Sequence, residues 1–187
     1  MKMGKIFVLS SPSGGGKTTI RKHLLKQCPL VYSVSWTTRP PRQGEKDKKD
    51  YLFVSERAFK RKIEKSEFAE WTRVLGNYYG TPKQFLEKEI KKGNVLLEID
   101  VKGAKQIKRK YRKQAVLIFI APPSLRELKK RLENRKTENR KEIAQRLKLA
   151  YQEIEQINKY DYLVINKDLK ECTGDIKAII RAEGCKL

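Results

Sequence analysis

An apolar run, Ile6-Phe7-Val8-Leu9, empties without a break into Ser10-Ser11-Pro12-Ser13-Gly14-Gly15-Gly16-Lys17-Thr18, and an amphipathic segment follows. The run is short enough for a buried strand, so the order reads strand, glycine-rich loop, helix. Three glycines let successive backbone N–H groups turn inward, and the helix aims its positive dipole end into the same hollow, which suits an anion of two or three phosphates. Lys17 would reach the β- and γ-phosphates of a nucleotide. Thr18 would offer its hydroxyl to an accompanying Mg²⁺, a hard cation that takes oxygen ligands. The usual spacing, G-x-x-x-x-G-K-S/T, has glycine where this chain has the small residue Ser11. A flexible turn would explain the glycines, but neither the buried strand before them nor the lysine after them.

A chain of 187 residues accommodates one α/β domain with room for an inserted subdomain; two independent domains are not expected. The 35% of charged residues suits a soluble globular enzyme, and no apolar run approaches the roughly 20 residues that a membrane-spanning helix needs. No signal peptide is read ahead of the first strand. Cys28, Cys172 and Cys185 are odd in number and irregularly spaced, which fits neither a disulfide framework nor a zinc site. They read as free thiols, and a cytoplasmic location is expected. The formal net charge of +22, from 44 Lys and Arg against 22 acids, leaves two readings open. Such a field draws nucleotides or nucleic acid, or it belongs to a lysine-rich, solvated surface. The excess is spread over many segments, which favours the second.

Along the chain, Ile20, Leu24 and Leu25 predict a first helix over 17–27 that Pro29 ends. His23, the single histidine, has no second metal ligand near it and reads as a surface residue. Alternation over Val31–Trp36 and Tyr51–Val54, turn residues at Gln43-Gly44 and Gly76-Asn77, a helix over 56–65 and a strand at Phe68–Trp71 give 30–82 a different texture. Tyr32, Trp36, Tyr51, Trp71, Tyr78 and Tyr79 are interleaved there with polar residues, as in a small substrate-holding insertion. A helix over 84–92 leads to a second buried strand, Val95–Asp100. A two-residue period puts Glu98 and Asp100 on one face at its carboxyl end, where parallel sheets bind ligands and acids hold Mg²⁺ or its water shell. Capping of the next helix is the plainer role, and it suits Asp100 better than Glu98.

Residues 102–113 carry seven basic residues and no acid, with Ile107 and Tyr111 interleaved. A nucleic-acid or membrane-surface patch and an ordinary amphipathic helix both fit. Ala115–Ile120 predicts a third buried strand, Ser124 a cap for a helix from Leu125, Tyr162–Ile165 a fourth strand and 169–183 a closing helix. Between them, 129–148 holds nine basic and three acidic residues. Helical spacing fades from Asn134 to Asn139 and returns at Ile143, Leu147 and Leu149. That pattern predicts two helices joined by a polar stretch, a lid whose arginines neutralise charge on a transferring phosphoryl group.

The ordered segments Ser35-Trp36-Thr37-Thr38-Arg39-Pro40-Pro41-Arg42-Gln43-Gly44-Glu45, Asp50-Tyr51, Phe68-Ala69-Glu70-Trp71, Gly76-Asn77-Tyr78-Tyr79-Gly80-Thr81, Glu98-Ile99-Asp100, Ile120-Ala121-Pro122-Pro123-Ser124, Arg131-Leu132-Glu133-Asn134-Arg135 and Ile165-Asn166 resemble the guanylate kinase family over nearly the whole chain. The resemblance implies a P-loop α/β fold: a parallel core sheet flanked by helices (about 1–32, 82–128 and 147–187), an inserted mixed α/β GMP-binding subdomain (about 33–81) and a helical lid (about 129–146). It implies transfer of the γ-phosphoryl of ATP to GMP in purine nucleotide metabolism, with Mg²⁺ accompanying ATP and deoxy-GMP as a further acceptor. By the same resemblance, ATP is held by Ser11, Pro12, Ser13, Gly14, Gly15, Gly16, Lys17, Thr18 and Thr19, with Asn166 by the adenine. The GMP phosphate is gripped by Arg39, Arg42, Tyr51 and Tyr79, and the base is read by Ser35, Thr81, Glu70 and Asp100. Thr18 meets the metal and Glu98 steers it through water. Lys17, Arg39, Arg131, Arg135 and Arg146 are the catalytic cations. No specific nucleic acid or membrane partner is expected, and monomer or homo-oligomer stays open.

Ser11, Trp36 after Ser35, and Lys136 after Arg135 depart from the family's usual pattern, and Lys136 bears on lid mobility. A catalytically dead scaffold domain of the same family would lack the intact loop that Lys17 and Thr18 complete. A nucleic-acid-binding protein would leave the carboxylates at the base-reading positions unexplained.

Overall fold

The computed structural model describes residues 3–133 and 140–186. The strands are β1 (Ile6–Ser10), β2 (Val31–Tyr32), β3 (Trp36–Thr37), β4 (Leu52–Phe53), β5 (Phe68–Val74), β6 (Asn77–Pro82), β7 (Val95–Glu98), β8 (Ala115–Ala121) and β9 (Tyr162–Ile165). The helices are α1 (Lys17–Gln27), α2 (Glu56–Glu64), α3 (Lys83–Glu89), α4 (Val101–Tyr111), α5 (Leu125–Glu133), α6 (Arg140–Ile154) and α7 (Leu169–Gly184). Five strands form one sheet in the order β2-β7-β1-β8-β9, and four form a second in the order β4-β3-β6-β5. Every residue of β1 and β8 is buried, the continuous apolar texture of parallel strands covered on both faces. A parallel core sheet flanked by helices, together with a second, mixed sheet, is the expected fold class.

The chain divides into two compact units. The first comprises Met1–Ile6, Pro29–Leu97 and Lys102–Ala115, and the second Phe7–Cys28, Glu98–Val101 and Val116–Leu187.

In the first unit, β2 pairs in parallel with β7, and Ser33 N–H still donates to Leu96 O at 3.1 Å. By Trp36 the chain has changed sheets, opposite Leu52 on one side and Gly80 on the other. The alternation read over Val31–Trp36 is therefore two strands in two sheets. Period two survives the crossing because Ser33, Ser35 and Thr37 are all buried. The β5–β6 hairpin turns through Leu75 (φ 46) and Gly76 (φ 85), between the paired Val74 and Asn77. Two central residues with positive φ match the twist of the flanking strands. Phe59 of α2, whose N-terminus Ser55 caps by accepting from Ala58 N–H, stacks on Phe68 at 4.5 Å and on Tyr78 at 5.4 Å. A Cβ on Gly80 would lie 2.9 Å from the Phe68 ring and 3.0 Å from that of Phe59. The glycine thus lets the aromatic layer reach the strand.

Helix α4 buries Gly103, Ala104 and Ile107 and turns most of its basic residues outward, which makes the lysine-rich stretch an amphipathic helix. β7 ends at Glu98, short of the expected Asp100, because Asp100 directly precedes α4 and the chain turns there to begin the helix.

In the second unit, α1 starts at Lys17 as expected and buries Ile20, Arg21 and Leu24. Leu128 and Leu132 of α5 pack with Ala150 of α6, backed by Leu125, Ile143 and Leu147. Ser124 Oγ accepts from Glu127 N–H at 3.1 Å, and Asp168 caps α7 by accepting from Lys170 and Glu171 N–H. The expected polar connection between α5 and α6, with Arg135 and Lys136, lies outside the described residues.

Phe59 is fully buried and holds the first unit's aromatic layer together. Phe59→Ala should cost about 3–5 kcal/mol, read as a shifted urea midpoint at unchanged slope; a loss under 1 kcal/mol would mean that the layer does not carry that unit.

Candidate active site

The loop after β1 leaves no room for a side chain at Gly15 or Gly16. Gly15 N–H donates to Pro12 O at 2.9 Å, and a Cβ on Gly15 would lie 2.4 Å from Ser11 Oγ. Ser11 is accommodated where the usual pattern has glycine because Gly15 leaves it that space. Gly16 holds φ 91 as the residue before α1, and a Cβ there would sit 2.7 Å from Asn166 Nδ2. The Lys17 ammonium donates to Ser11 O (2.7 Å) and Ser11 Oγ (3.1 Å), which fixes it over the loop.

Asn166, at the end of β9, donates its Nδ2–H to Gly15 O at 2.9 Å and its backbone N–H to Ala121 O at 2.8 Å. Its carbonyl accepts from Arg131 Nη2 at 3.3 Å, and Arg131 Nε also donates to Glu127 at 3.1 Å. Arg146 Nη1 donates to Ser13 Oγ. Of the expected lid arginines, Arg146 thus stands against the loop itself and Arg131 against Asn166, while Arg135 is outside the described residues. Asn166, expected beside an adenine, has its amide committed to the loop backbone.

Thr18 Oγ1 donates to Glu98 Oε1 at 2.8 Å, and Arg21 Nε lies 3.0 Å from Glu98 Oε2. Arg21 was not among the residues expected here; its helical face, shared with Ile20 and Leu24, marked it only as an interruption of an apolar stripe. The donor set of Thr18 and Glu98 is all oxygen, which fits Mg²⁺. Among the described residues no cluster of three His, Cys, Asp or Glu forms a protein-only metal cage. A cation bound here would bring phosphate and water oxygens of its own. Asp100 belongs to the same unit, and its charge reaches the Tyr160 phenol, which burial pushes up.

The other expected residues lie in the first unit. Glu70 on β5 is 3% exposed, and Oε1 accepts from Thr81 Oγ1 at 2.6 Å across the hairpin. The hydroxyl of Ser35, next to β3, is buried with no hydrogen-bond partner among the described residues. Arg39 Nη2 donates to both oxygens of Glu45 at 2.8 and 2.9 Å, and its guanidinium lies 5.5 Å from the centre of the Tyr51 ring. The Tyr51 and Tyr79 rings are 6.0 Å apart. The Arg42 backbone N–H donates to Glu45 Oε2 at 2.8 Å. Glu45 is the organiser that sequence reading passed over; an acid among Arg39, Arg42, Lys46, Lys48 and Lys49 was the available signal. Burial alone would push its carboxyl up, but the Arg39 hydrogen bond, the Arg42 N–H and both guanidinium charges outweigh that and hold it below the usual carboxylate range.

Chemically, the second unit offers a polyphosphate cradle with a lysine, arginines and an oxygen donor pair. The first offers cations and phenols suited to a phosphate monoester, next to a buried carboxylate and hydroxyls suited to a hydrogen-bonding heterocycle.

The family model described as guanylate kinase matches residues 3–183. The guanylate kinase of Caldanaerobacter subterraneus subsp. tengcongensis is 49% identical over 188 residues, covering 100% of this chain and 91% of that protein. That of Thermotoga maritima is 42% identical, covering 98% and 89%. The crystal structure of guanylate kinase from Anaplasma phagocytophilum superposes with a TM-score of 0.85 at 41% identity, covering 98% of this chain and 88% of that one.

The depressed Glu45 carboxyl stabilises the fold at neutral pH, and that contribution is lost as pH falls through the lowered value. Glu45→Gln should therefore be less stable than wild type at pH 7, with the difference closing in acid. Urea titrations at both pH values check this, and an equal gap at each would mean that Glu45 is not ionised against Arg39.

Proposed function

The chain belongs to the guanylate kinase family, and from that membership and the geometry above we propose that it transfers the γ-phosphoryl group of ATP to GMP, giving ADP and GDP. A phosphate oxygen of GMP attacks the γ-phosphorus in line, and the bond from that phosphorus to the β,γ-bridging oxygen breaks. No covalent enzyme intermediate is needed, so catalysis is positioning and charge neutralisation.

On this reading the loop from Ser11 to Thr19 cradles the phosphates of ATP, and Lys17 holds the β- and γ-phosphates. Thr18 would meet Mg²⁺ and Glu98 its water shell; when bound, the ion neutralises charge on the β- and γ-oxygens. Arg131 and Arg146 act from α5 and α6, joined by Arg135, and support for the first two is their contact with Asn166 and Ser13. Arg39, Arg42, Tyr51 and Tyr79 hold the GMP phosphate, and Glu45 keeps Arg39 aimed. Ser35, Thr81, Glu70 and Asp100 read the base. The division into a core (about 1–32, 82–128 and 147–187), an insertion (33–81) and a lid (129–146) belongs to this reading, supported by a mixed sheet whose strands all fall between Trp36 and Pro82. So does a cytoplasmic location, supported by three free cysteines and by the lack of a helix, among the described residues, long and apolar enough to cross a membrane.

The observation that carries the choice of acceptor is the buried Glu70 with Thr81 at 2.6 Å, together with the Ser35 hydroxyl, buried without a partner among the described residues next to the strand whose Trp36 faces Gly80. Guanine offers N–H donors at N1 and its 2-amino group and a carbonyl acceptor at O6. Adenine has an unprotonated N1 that would face a carboxylate lone pair in a desolvated site.

A coupled ATP-consumption assay with GMP, AMP, CMP and UMP tests this. Wild type should prefer GMP over AMP by about 10⁴–10⁵. Glu70→Gln, which turns one acceptor into a donor, should lose the equivalent of about 1.5–3 kcal/mol with GMP and no parallel loss with AMP. Comparable use of AMP by wild type, or GMP efficiency untouched in Glu70→Gln, would sink the reading.

Arg146→Ala should lower turnover by about 10³–10⁵-fold with unchanged thermal unfolding. A loss below tenfold would make Arg146 a brace of the loop and not a participant in transfer.

A further inference from the structure

Helix α1 carries Thr18 and Arg21 one turn apart, so both fall on the face that meets Glu98 at the end of β7. Each carboxylate oxygen has its own partner: Oε1 accepts from the Thr18 hydroxyl at 2.8 Å, and Oε2 is ion-paired with Arg21, whose Nε lies 3.0 Å away. The Arg21 and Glu98 side chains are 4% and 6% exposed. Breaking such a pair from one side leaves an uncompensated buried charge.

This rests on the magnesium reading of Thr18 and Glu98. We propose that Arg21 is a positioning residue for the metal-bearing nucleotide: it fixes Glu98 so that the carboxylate goes on accepting the Thr18 hydroxyl hydrogen bond, which leaves the lone pairs of the hydroxyl oxygen to the cation. Glu98, held in this way between Arg21 and Thr18, would meet the ion's water shell. Groups that orient a metal's ligands in this way are worth about 10–100-fold in metal affinity. The sign separates this role from simple electrostatics. A guanidinium that acted only by its charge would repel the cation, and its removal would tighten metal binding; a positioning residue gives the opposite result.

The test is calorimetric binding of ADP to the whole chain, with Mg²⁺ and with a chelator, in wild type, Arg21→Met and Arg21→Lys. Wild type should bind ADP more tightly with Mg²⁺. In Arg21→Met that gain should fall by about 10-fold or more while metal-free ADP binding changes far less, and Arg21→Lys should recover part of it. An unaltered or larger gain in Arg21→Met, with the wild-type gain intact, overturns this inference alone. No gain in wild type removes the magnesium reading of Thr18 and Glu98, and this inference with it. Should Arg21→Met not fold, Glu98→Gln is compared with Glu98→Gln/Arg21→Met, in which no buried charge is stranded. Equal gains in the two support action through Glu98, and a further change on removing Arg21 overturns it.

Discussion

The amide of Asn166 donating to the carbonyl of Gly15 is the contact on which the phosphate loop depends. A loop whose backbone N–H groups turn inward must leave carbonyls turned away, and a buried carbonyl without a donor costs about 1–3 kcal/mol. Asn166 meets that need from the end of β9, and its own backbone N–H is fixed to Ala121 at the end of β8. The loop after β1 is thereby tied to two other strands of its sheet. Gly16 follows from the same contact, since any side chain there would occupy the place of the amide. Arg131 closes the circle by donating to the Asn166 carbonyl, so an arginine of α5 is referenced to the same residue that shapes the loop.

A net charge of +22 sets like charges against one another, yet three arginines of the site have acids beside them: Arg131 has Glu127, and the other two are more deeply placed. Arg39 is held at both nitrogen–oxygen contacts by Glu45, and Arg21 by Glu98. In each case a carboxylate fixes the direction of a guanidinium or is fixed by it, and an arginine held in place loses little conformational entropy when an anion arrives. Much of the basic surplus sits on outward faces, such as that of α4. Net charge and site charge are therefore separate matters here: acids are few, and where they are buried beside arginines they set geometry.

Much of this was legible in the sequence wherever burial is complete on both sides. β1 and β8 are continuous apolar runs and came out within a residue of their ends, and the loop between β1 and α1 was readable because its glycines, lysine and threonine have fixed jobs in order. The move from β2 to β3 was not legible, because Ser33, Ser35 and Thr37 keep a single alternation while the backbone leaves one sheet for another. Period two reports which face a side chain takes and is silent about which sheet receives it. The paired partners of the site were hidden for another reason. Arg21 and Glu45 act through groups distant in sequence or through a turn, so neither helical nor strand periodicity singles them out. The resemblance supplied the residues that touch substrates in the family, and it carried no word on the residues that hold those in place.

The departures from the family pattern can be weighed in the same terms. Ser11 costs the loop nothing visible, since its hydroxyl donates to Pro12 O and accepts from Lys17, and Gly15 yields the space. Trp36 is a larger change, but its ring lies at the edge of Phe68 and under the Lys62 ammonium at 4.5 Å. It therefore joins the aromatic layer that Phe59, Phe68 and Tyr78 already form. Its backbone keeps the register opposite Gly80, one residue from Thr81, whose hydroxyl is spent on Glu70. A bulky residue is tolerated beside Ser35 because alternation sends it to the packed face of the strand while Ser35 and Thr37 are buried on the other. Strand geometry insulates the Ser35 and Thr37 hydroxyls from the size of the residue between them.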